Sequence, residues 1–237
     1  MDDILSRTAA QNTVEKVIAV ARAEAAKLGV RAGTLHLTAP HASQVGNKVV
    51  IAAFGHKRDW IAAYRDPRLR RHDPVPDHVM RAGRVMTYRE ALAELTLKPA
   101  QAEFAERMHA AGLADMMALP VYGPFDFDTF ATFAIGRAFT ADDTGTINSI
   151  VAIVEIANRR IAQLVEGGTA LHISLSDRER EVLHWIGLSK SNGDIATILD
   201  VSLGSIDTYI RRLFAKLEVN DRIAAAVKGF RLGLIRY

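Results

Sequence analysis

The chain has 237 residues, 49% of them hydrophobic and 24% charged, with a formal net charge of only +3 and no cysteine. This composition is typical of a globular protein with a sizeable core, and it excludes disulfide bonds, thiol nucleophiles and cysteine-ligated zinc. No apolar run approaches the roughly 20 residues of a membrane span, and the acidic start Met1-Asp2-Asp3 is unlike an export signal, so we expect a cytoplasmic protein with no membrane partner.

The first 165 residues alternate between helical and strand-like patterns. Apolar residues at helical spacing predict a helix over 12–28, and two short strands are predicted around 34–38 and 49–54. The later elements predicted here are a helix capped by Asp59, a helix from Pro99 to Gly112, strands over 116–121 and 127–136, and the longest helix, over 141–165. This order predicts an α/β sandwich, in which one antiparallel sheet carries helices on its faces (α-β-α).

A break in this pattern separates two domains. Gly167-Gly168-Thr169 is short and flexible, which predicts a linker over 166–173 between a domain at 1–165 and a domain at 174–237. Beyond the linker the pattern is almost purely helical. Four helices are predicted there, over 177–188, 193–199, 203–217 and 222–232. We therefore expect a small all-α domain at the C-terminus.

The second and third of these helices have the pattern of a helix-turn-helix. The first of the pair turns Ile195, Ala196 and Leu199 inward, and a tight turn at 200–202 follows, where Ser202 is placed to cap the next helix. The next helix turns an apolar stripe inward, at spacings of four, three and four residues: Ile206, Ile210, Leu213 and Leu217. Such a stripe seats a recognition helix while its opposite face enters the major groove.

The opposite face of that helix is polar and basic. Long cations there reach phosphates or guanine edges, and short hydroxyls contact phosphates. From 205 to 237, seven basic residues stand against three acidic ones, a net charge of +4 that exceeds that of the whole chain. The candidate DNA contacts are Ser202, Ser205, Asp207, Thr208, Arg211, Arg212 and Lys216. A generic helical hairpin with a solvated basic face fits the same residues, so this pattern leaves both interpretations open.

Short stretches of the C-terminal domain carry a more specific signal. They are 175–186 (LSDREREVLHWI), 190–192 (KSN), 194–196 (DIA), 201–202 (VS), 206–209 (IDTY) and 216–217 (KL). Together they closely resemble the LuxR-type helix-turn-helix, from Leu175 to about Ile235. Ser189 departs from the resemblance, since the family usually has glycine after the first helix. The resemblance implies a transcription regulator, and we expect a homodimer that presents two recognition helices to a pseudo-palindromic site on double-stranded DNA.

An aromatic and acidic pattern in the first domain points to a small-molecule pocket. Trp60 and Tyr64 lie one helical turn apart, and Asp73-Pro74 follows them. An indole N–H, a phenol O–H and a carboxylate offer two donors and one acceptor to a polar head group, and the surrounding aliphatic residues suit an acyl chain. Core packing of the two aromatic residues, and a simple turn at Asp73-Pro74, are the alternatives.

This spacing resembles the signature of the acyl-homoserine-lactone sensor domain. The resemblance implies that Trp60 donates to the lactone carbonyl, Tyr64 donates to the amide carbonyl and Asp73 accepts the amide N–H. Thr132 falls where the family has Ser or Thr near the amide. A phosphorylated receiver domain, which also occurs with this helix-turn-helix, fits poorly, because no apolar strand leads into Asp2-Asp3 or ends in a later Asp. The expected signal is therefore an N-acyl-homoserine lactone, as in quorum sensing.

Two positions depart from the sensor resemblance and weaken the identity of the ligand. Tyr88 stands where the family usually has a tryptophan that lines the lactone, and Met116 occupies a family glycine position, although Gly112 matches. The candidate ligand contacts are Trp60, Tyr64, Asp73, Tyr88 and Thr132. A regulator that answers to a different ligand, or that acts without one through dimerisation, is the alternative.

Signals for other chemistry are weak. His72, Asp73, Asp77 and His78 match no common metal-ligand frame and lie beside prolines, so we predict no metal site. The sequence has no motif for a serine nucleophile elbow, a phosphate-binding loop or a zinc protease. We therefore predict no enzyme and no cofactor other than the signal ligand. An enzyme or carrier that uses the pocket is the remaining alternative, and the helix-turn-helix counts against it.

Overall fold

The computed structural model describes residues 2–38, 49–124, 127–165 and 173–235, and the chain divides into two compact units, Met1–Leu164 and Val165–Tyr237. The glycines of the predicted linker, Gly167 and Gly168, lie outside the described residues. Within the described ranges, no helix combines the length and apolarity needed to cross a membrane. Each unit has buried hydrophobic clusters of its own.

The described part of the first unit contains a five-stranded antiparallel sheet between two sets of helices. Its strands, in the order β2-β1-β5-β4-β3, are β1 (Ala32–Thr38), β2 (Val49–Phe54), β3 (Met86–Thr87), β4 (Met117–Val121) and β5 (Thr129–Ala134). The helices are α1 (Asp2–Ala9), α2 (Val14–Lys27), α3 (Arg58–Arg65), α4 (Pro67–Arg70), α5 (Val75–Ala82), α6 (Tyr88–Ala93), α7 (Pro99–Ala110) and α8 (Thr144–Val165).

The sheet separates two cores, because side chains alternate between its faces along each strand. Leu35 of β1 pairs with Ala52 of β2 and Ala131 of β5, so these three residues share a face, which α2 and α8 cover. The next residue, His36, lies on the opposite face, where it contacts Tyr64 of α3 in the core formed with α5, α6 and α7. The predicted α-β-α sandwich is confirmed.

The elements predicted from periodicity are present, with corrections at their ends. The predicted cap at Asp59 is wrong: α3 begins at Arg58, and Asp59 lies inside its first turn, where a negative charge is still favourable. The last strand is shorter than predicted, since β5 begins at Thr129. The helix predicted from residue 141 begins as a 3₁₀ turn, Ala141–Asp143, before α8.

The second unit has four described helices: α9 (Asp177–Gly187), α10 (Asn192–Leu199), α11 (Leu203–Leu217) and α12 (Arg222–Arg231). Each begins after a serine or aspartate whose side chain caps it. Ser202 caps α11 as predicted, since its Oγ accepts the Ser205 N–H at 3.1 Å. The predicted stripe of α11 faces the core: Ile206, Leu213 and Leu217 are fully buried and Ile210 is partly buried. The predicted all-α domain is confirmed.

The turn after α9 places a residue other than glycine in the left-handed region. Ser189 has a φ of +59°, its N–H donates to the Ile186 carbonyl at 2.9 Å, and the Lys190 N–H donates to the Trp185 carbonyl at 3.0 Å. These two bonds form the Schellman arrangement that ends many helices and favours glycine. A residue with a Cβ adopts this conformation at a cost of about 1 kcal/mol. Ser189 is therefore a point of backbone strain.

We expect Ser189→Gly to stabilise the second unit, because glycine adopts this φ without a clash at Cβ. The gain should be about 0.5–1 kcal/mol, which raises the melting temperature of a unit of this size by about 2–8 °C. Thermal unfolding followed by Trp185 fluorescence in a Trp60→Phe background measures it. Ser189→Ala is the matched control, and it should bring no increase because alanine keeps the Cβ. Equal melting temperatures for the glycine variant and the parent would contradict the assigned strain.

Candidate functional site

Asp73 is the centre of a buried hydrogen-bond cluster in the first unit. It lies between α4 and α5 and is 8% exposed. Its Oδ2 accepts hydrogen bonds from the hydroxyls of Tyr64, at 2.6 Å, and Tyr88, at 2.9 Å, and its Oδ1 accepts the Val75 N–H at 3.1 Å. Tyr64 belongs to α3, Val75 begins α5 and Tyr88 begins α6, so one carboxylate joins three helices.

The local sequence explains how these groups are placed. Asp73-Pro74 forms the turn into α5, and the bond from Val75 satisfies a donor that a helix start leaves unpaired. Asp73 therefore forms the turn that the sequence offered as an alternative, and its second oxygen is still placed among the predicted ligand contacts. Tyr88 is held from the other side, since its N–H donates to the Met116 carbonyl at 2.9 Å. Tyr88 and Met116, the two departures from the sensor resemblance, are thus neighbours in the structure.

Burial sets the protonation of this cluster. Burial raises the pKa of Asp73 to about 6, while the hydrogen bonds from Tyr64, Val75 and Tyr88 act in the opposite direction. Asp73 is therefore mainly ionised at pH 7. Burial, followed by the charge of Asp73, raises the pKa of both tyrosines well above the usual range, so both remain donors. A carboxylate offers about four acceptor sites, and the three bonds to Asp73 leave one for a further donor.

Aromatic rings form one wall of the cluster. The rings of Trp60 and Tyr64 stack, with centroids 6.2 Å apart and planes 17° apart. Phe104 of α7 lies 6.3 Å from Trp60 and 6.1 Å from Tyr64. Trp60 is half-buried. Phe104 does not stand out in the sequence, although it shares a helical face with Met108 and both are buried.

His36 adds a neutral polar ring to the cluster. Its ring centroid lies 5.5 Å from that of Tyr64 and 5.0 Å from that of Phe130. Burial, and then the charge of Arg70, lowers the pKa of His36 to about 3, so the ring is uncharged at pH 7. In the sequence, His36 could be recognised only from its place next to Leu35 in a predicted strand, because neighbouring strand residues lie on opposite faces of a sheet.

The structure brings most of the predicted ligand contacts together. Four of the five lie in one group: Trp60, Tyr64, Asp73 and Tyr88. Thr132 is buried on β5, and its hydroxyl shares a 2.7 Å hydrogen bond with that of Thr34 on β1. No bond between Thr132 and the Asp73 cluster occurs among the described residues, so its role near a ligand amide stays a prediction.

The outer face of α11 carries the predicted DNA contacts. These residues differ in the hydrogen bonds that they make within the unit. Arg211 and Arg212 are exposed, and neither guanidinium bonds to another described residue. The hydroxyls of Ser202 and Ser205 lie 2.9 Å apart at the start of the helix, and Thr208 donates to the backbone one turn earlier at 2.9 Å. The two arginines are therefore the cations of this face that remain available to phosphates or base edges.

Lys216, also predicted to contact DNA, is bound within the unit. Its Nζ donates to Glu179 Oε2 at 2.6 Å and to the Ser174 carbonyl at 2.9 Å. Glu179 is 3% exposed and also accepts the Ser176 N–H at 2.7 Å in the cap of α9. The ion pair therefore ties the end of α11 to the start of α9. A DNA contact by Lys216 stays a prediction, and its observed contact is structural.

Two residues that were not predicted as functional hold the start of α10: Asn192 joins it to α11, and Arg222 joins it to α12. Asn192 Nδ2 donates to Asp207 Oδ1 at 2.9 Å, and Arg222 donates to Asn192 Oδ1 at 3.0 Å and to the Lys190 carbonyl. Asp207, predicted to contact DNA, therefore also orients the first helix of the pair. Asn192 was visible in the sequence only as part of the stretch 190–192.

Two family models match the chain. The model described as "Autoinducer binding domain" matches residues 13–161, which is more than half of the chain. The model described as "Bacterial regulatory proteins, luxR family" matches residues 173–228. The first range contains every predicted ligand contact, and the second contains every predicted DNA contact.

Relatives and solved structures agree with these matches. The quorum sensing-dependent transcriptional regulator RpaR of Rhodopseudomonas palustris is 26% identical over 185 residues, 78% of this chain and 74% of RpaR. The quorum-sensing regulator RhlR of Pseudomonas aeruginosa is 36% identical over 63 residues, 27% of this chain and 26% of RhlR. Escherichia coli SdiA has a TM-score of 0.72 at 19% identity, over 100% of this chain and 98% of SdiA. SdiA in complex with octanoyl-rac-glycerol has a TM-score of 0.66 at 18% identity, over 100% and 95%. At this identity the structures show the fold alone.

We expect the buried charge of Asp73 to destabilise the first unit as the pH rises. The pKa of Asp73 is about 6 in the folded state against 3.8 for an unperturbed carboxyl, so between these values the folded state keeps a proton that the unfolded state has released. This contribution to stability is complete below about pH 4 and is lost as the pH rises through 6. It amounts to roughly 3 kcal/mol, and Asp73→Asn should remove it.

Urea unfolding at pH 4, 5, 6 and 7 tests this expectation. Trp60 fluorescence in a Trp185→Phe background reports the free energy of unfolding of the first unit. Between pH 4 and 7 the parent should lose stability relative to the Asp73→Asn variant. Asp59→Asn, at an exposed aspartate of α3, is the matched control and should follow the parent. Parallel curves for the parent and Asp73→Asn would show that Asp73 carries no such penalty.

Proposed function

The chain belongs to the LuxR family of bacterial regulatory proteins and carries an autoinducer binding domain, and we propose that it binds an N-acyl-homoserine lactone and responds as a homodimer on DNA in quorum sensing. It is thus a DNA-binding transcription regulator, of a family that does not consist of enzymes. The observation that carries the ligand proposal is the Asp73 cluster, an ionised acceptor with one site left between two phenol donors.

Ligand binding exchanges hydrogen bonds within this cluster. A phenol has one proton to donate, so Tyr64 leaves Asp73 when it turns to the amide carbonyl of the ligand. The amide N–H of the ligand takes its place on Asp73, while Tyr88 keeps its bond. Trp60 donates its indole N–H to the lactone carbonyl. No buried donor or acceptor is left unpaired by this exchange, which avoids the penalty that weakens binding in apolar sites.

The surroundings of the cluster support an acyl lactone of low polarity. Phe104 and Phe130 supply apolar surface, and His36 is uncharged at neutral pH. We assign Thr132 a contact near the ligand amide from the resemblance to the sensor domain. The relatives RpaR and RhlR are quorum-sensing regulators by name, which favours the same class of signal for this chain.

A second candidate is a regulator of this family that answers to another acyl compound or acts without a ligand. Tyr88 donates to the same oxygen of Asp73 as Tyr64, so it already occupies one of the acceptor sites on that oxygen. The Met116 carbonyl holds Tyr88 in this position. The ligand named in one SdiA structure, octanoyl-rac-glycerol, is an acyl ester with no amide N–H. Such a ligand needs no free acceptor on Asp73.

An apolar pair on α12 supports the homodimer. Ile223 and Val227 lie one turn apart and are 76% and 54% exposed, which makes them the two most exposed large aliphatic side chains among the described residues of the second unit. Exposed apolar surface of this kind is favourable when a second copy covers it. Two copies present two α11 helices to the half-sites of a pseudo-palindrome. Because bacterial DNA lies in the cytoplasm, we place the protein there.

We expect an N-acyl-homoserine lactone of suitable chain length to raise the melting temperature of the first unit, because a ligand that binds only the folded state stabilises it. Thermal unfolding against a panel of lactones with acyl chains of increasing length measures the shift. Tyr64→Phe removes the donor to the amide carbonyl and should weaken apparent binding at least tenfold. Tyr122→Phe, at an exposed tyrosine of the same unit, should leave it unchanged.

The panel also separates the two candidates. Octanoyl-rac-glycerol is included beside the lactones. A shift with the glycerol ester and none with any lactone would reject the lactone proposal and support the second candidate. If neither class of compound raises the melting temperature, the remaining alternative is a regulator that acts without a ligand.

We expect Arg211→Ala to weaken DNA binding by about 10- to 100-fold, because its guanidinium is free to pair with a base edge or phosphate. The probe is DNA selected from a random pool by the parent protein, and the readout is the Kd at fixed salt. Arg178→Ala, at an exposed arginine of α9, is the matched control and should change the Kd little. An unchanged Kd for Arg211→Ala would refute the assignment of this face to DNA.

A further inference from the structure

An apolar cavity of about 320 Å³ lies in the first unit, bordered by α2, α8 and strands β1, β2 and β5, with Arg65 at the end of α3 also at its edge. Small and aliphatic residues dominate its wall, among them Ala21, Ala25, Leu35, Ala52 and Ala131. The register puts Leu35, Ala52 and Ala131 on the sheet face opposite His36. Thr34 and Thr132 also border the cavity, with their hydroxyls bonded to each other. None of the four clustered residues around Asp73 belongs to this wall.

The cavity exists because alanines face one another across the layer between helices and sheet. Ala21 and Ala25 from α2 lie across from Ala52 of β2 and Ala131 of β5. Protein interiors are close-packed, with few voids larger than a water molecule, so leucine or isoleucine is the usual residue at such positions. A volume of about 320 Å³ also falls within the range of small-molecule pockets. The cavity is therefore large enough for a small-molecule ligand.

Charged residues at the rim of the cavity indicate the charge that one end of the ligand carries. Arg22 is exposed beside the cavity, with its guanidinium 5.7 Å from the ring centroid of Phe54, and no carboxylate among the described residues pairs with it. Arg65 also borders the cavity and donates to the Ile51 carbonyl. Glu15 is the acidic residue of the wall, and it lies seven residues before Arg22, about 10 Å along the helix axis. An anionic group beside Arg22 is therefore favoured.

We propose that this cavity is a second small-molecule site, which takes a medium-chain fatty carboxylate. The chain fills the apolar space and the carboxylate pairs with Arg22 at the rim. An apolar cavity of about 150 Å³ is known to admit a benzene ring, so about 320 Å³ has room for roughly twelve carbon atoms. The site contains none of the four residues grouped around Asp73, although Thr132 borders it, and its ligand carries a charge that the lactone lacks. It lets the regulator respond to the supply of acyl chains.

Calorimetric titration of the full chain with dodecanoate, below its micellar concentration, tests the proposal. We expect one bound dodecanoate per chain. Ala25→Leu fills the cavity and should abolish binding, whereas Ala26→Leu, at the exposed neighbouring alanine, should leave it unchanged. Arg22→Gln should weaken dodecanoate at least tenfold and change the affinity for 1-dodecanol little. Ala52→Leu closes the cavity from the sheet side and replaces Ala25→Leu if that variant fails to fold.

Asp73→Asn shows which site the probe occupies. This variant should bind dodecanoate as the parent does, because Asp73 is not part of the wall. Loss of binding in Asp73→Asn with retention in Ala25→Leu would place dodecanoate in the lactone pocket and overturn the proposal. Absence of dodecanoate binding to the parent would also overturn the proposal. This holds even if the reason is that a second copy of the chain covers the rim in solution.

Discussion

A carboxylate as deeply buried as Asp73 is stable only when donors surround it, because an unpaired charge in an apolar interior is very costly. Tyr64, Val75 and Tyr88 provide those donors from α3, α5 and α6. The need of this carboxylate for hydrogen-bond donors therefore fixes how the three helices pack together. It also sets the chemistry of the proposed lactone site, since α3 brings Trp60 onto the ring of Tyr64. The same buried acceptor is what the proposed ligand addresses.

The sheet gives the first unit two faces of different character. Residues such as His36 and Thr132 bring polar groups to one face, while Leu35 and Ala131 leave the other apolar. Because side chains alternate strictly along a strand, neighbouring residues serve different sites. The residues around Asp73 and the alanines of the cavity can therefore be altered separately by substitution. Thr132, which borders the apolar cavity, is the predicted ligand contact at which the two come nearest.

The second unit uses the same device as the first. Glu179 is buried, and it is held by the Ser176 N–H and by Lys216, which lies 37 residues later in the chain. This pair fixes α11 against α9, as Asp73 fixes α3 against α6. Because Lys216 is bound to Glu179, the exposed guanidinium groups of Arg211 and Arg212 provide the positive charge of the proposed recognition face. Different cations of the same helix thus serve stability and the proposed DNA contact.

The sequence by itself predicted the four helices of the second unit and the longer elements of the first, but it did not predict α1, α4, α5, α6 or β3. Helical periodicity, the Ser202 cap and the spacing of Trp60, Tyr64 and Asp73 are local patterns, and local patterns can be read along the chain. Only the tertiary structure decided that Tyr88 shares an oxygen of Asp73, that Phe104 and His36 join the aromatic wall, and that Lys216 turns to Glu179. These contacts join residues distant in sequence. They depend on which elements pack together, and periodicity carries no information about that choice.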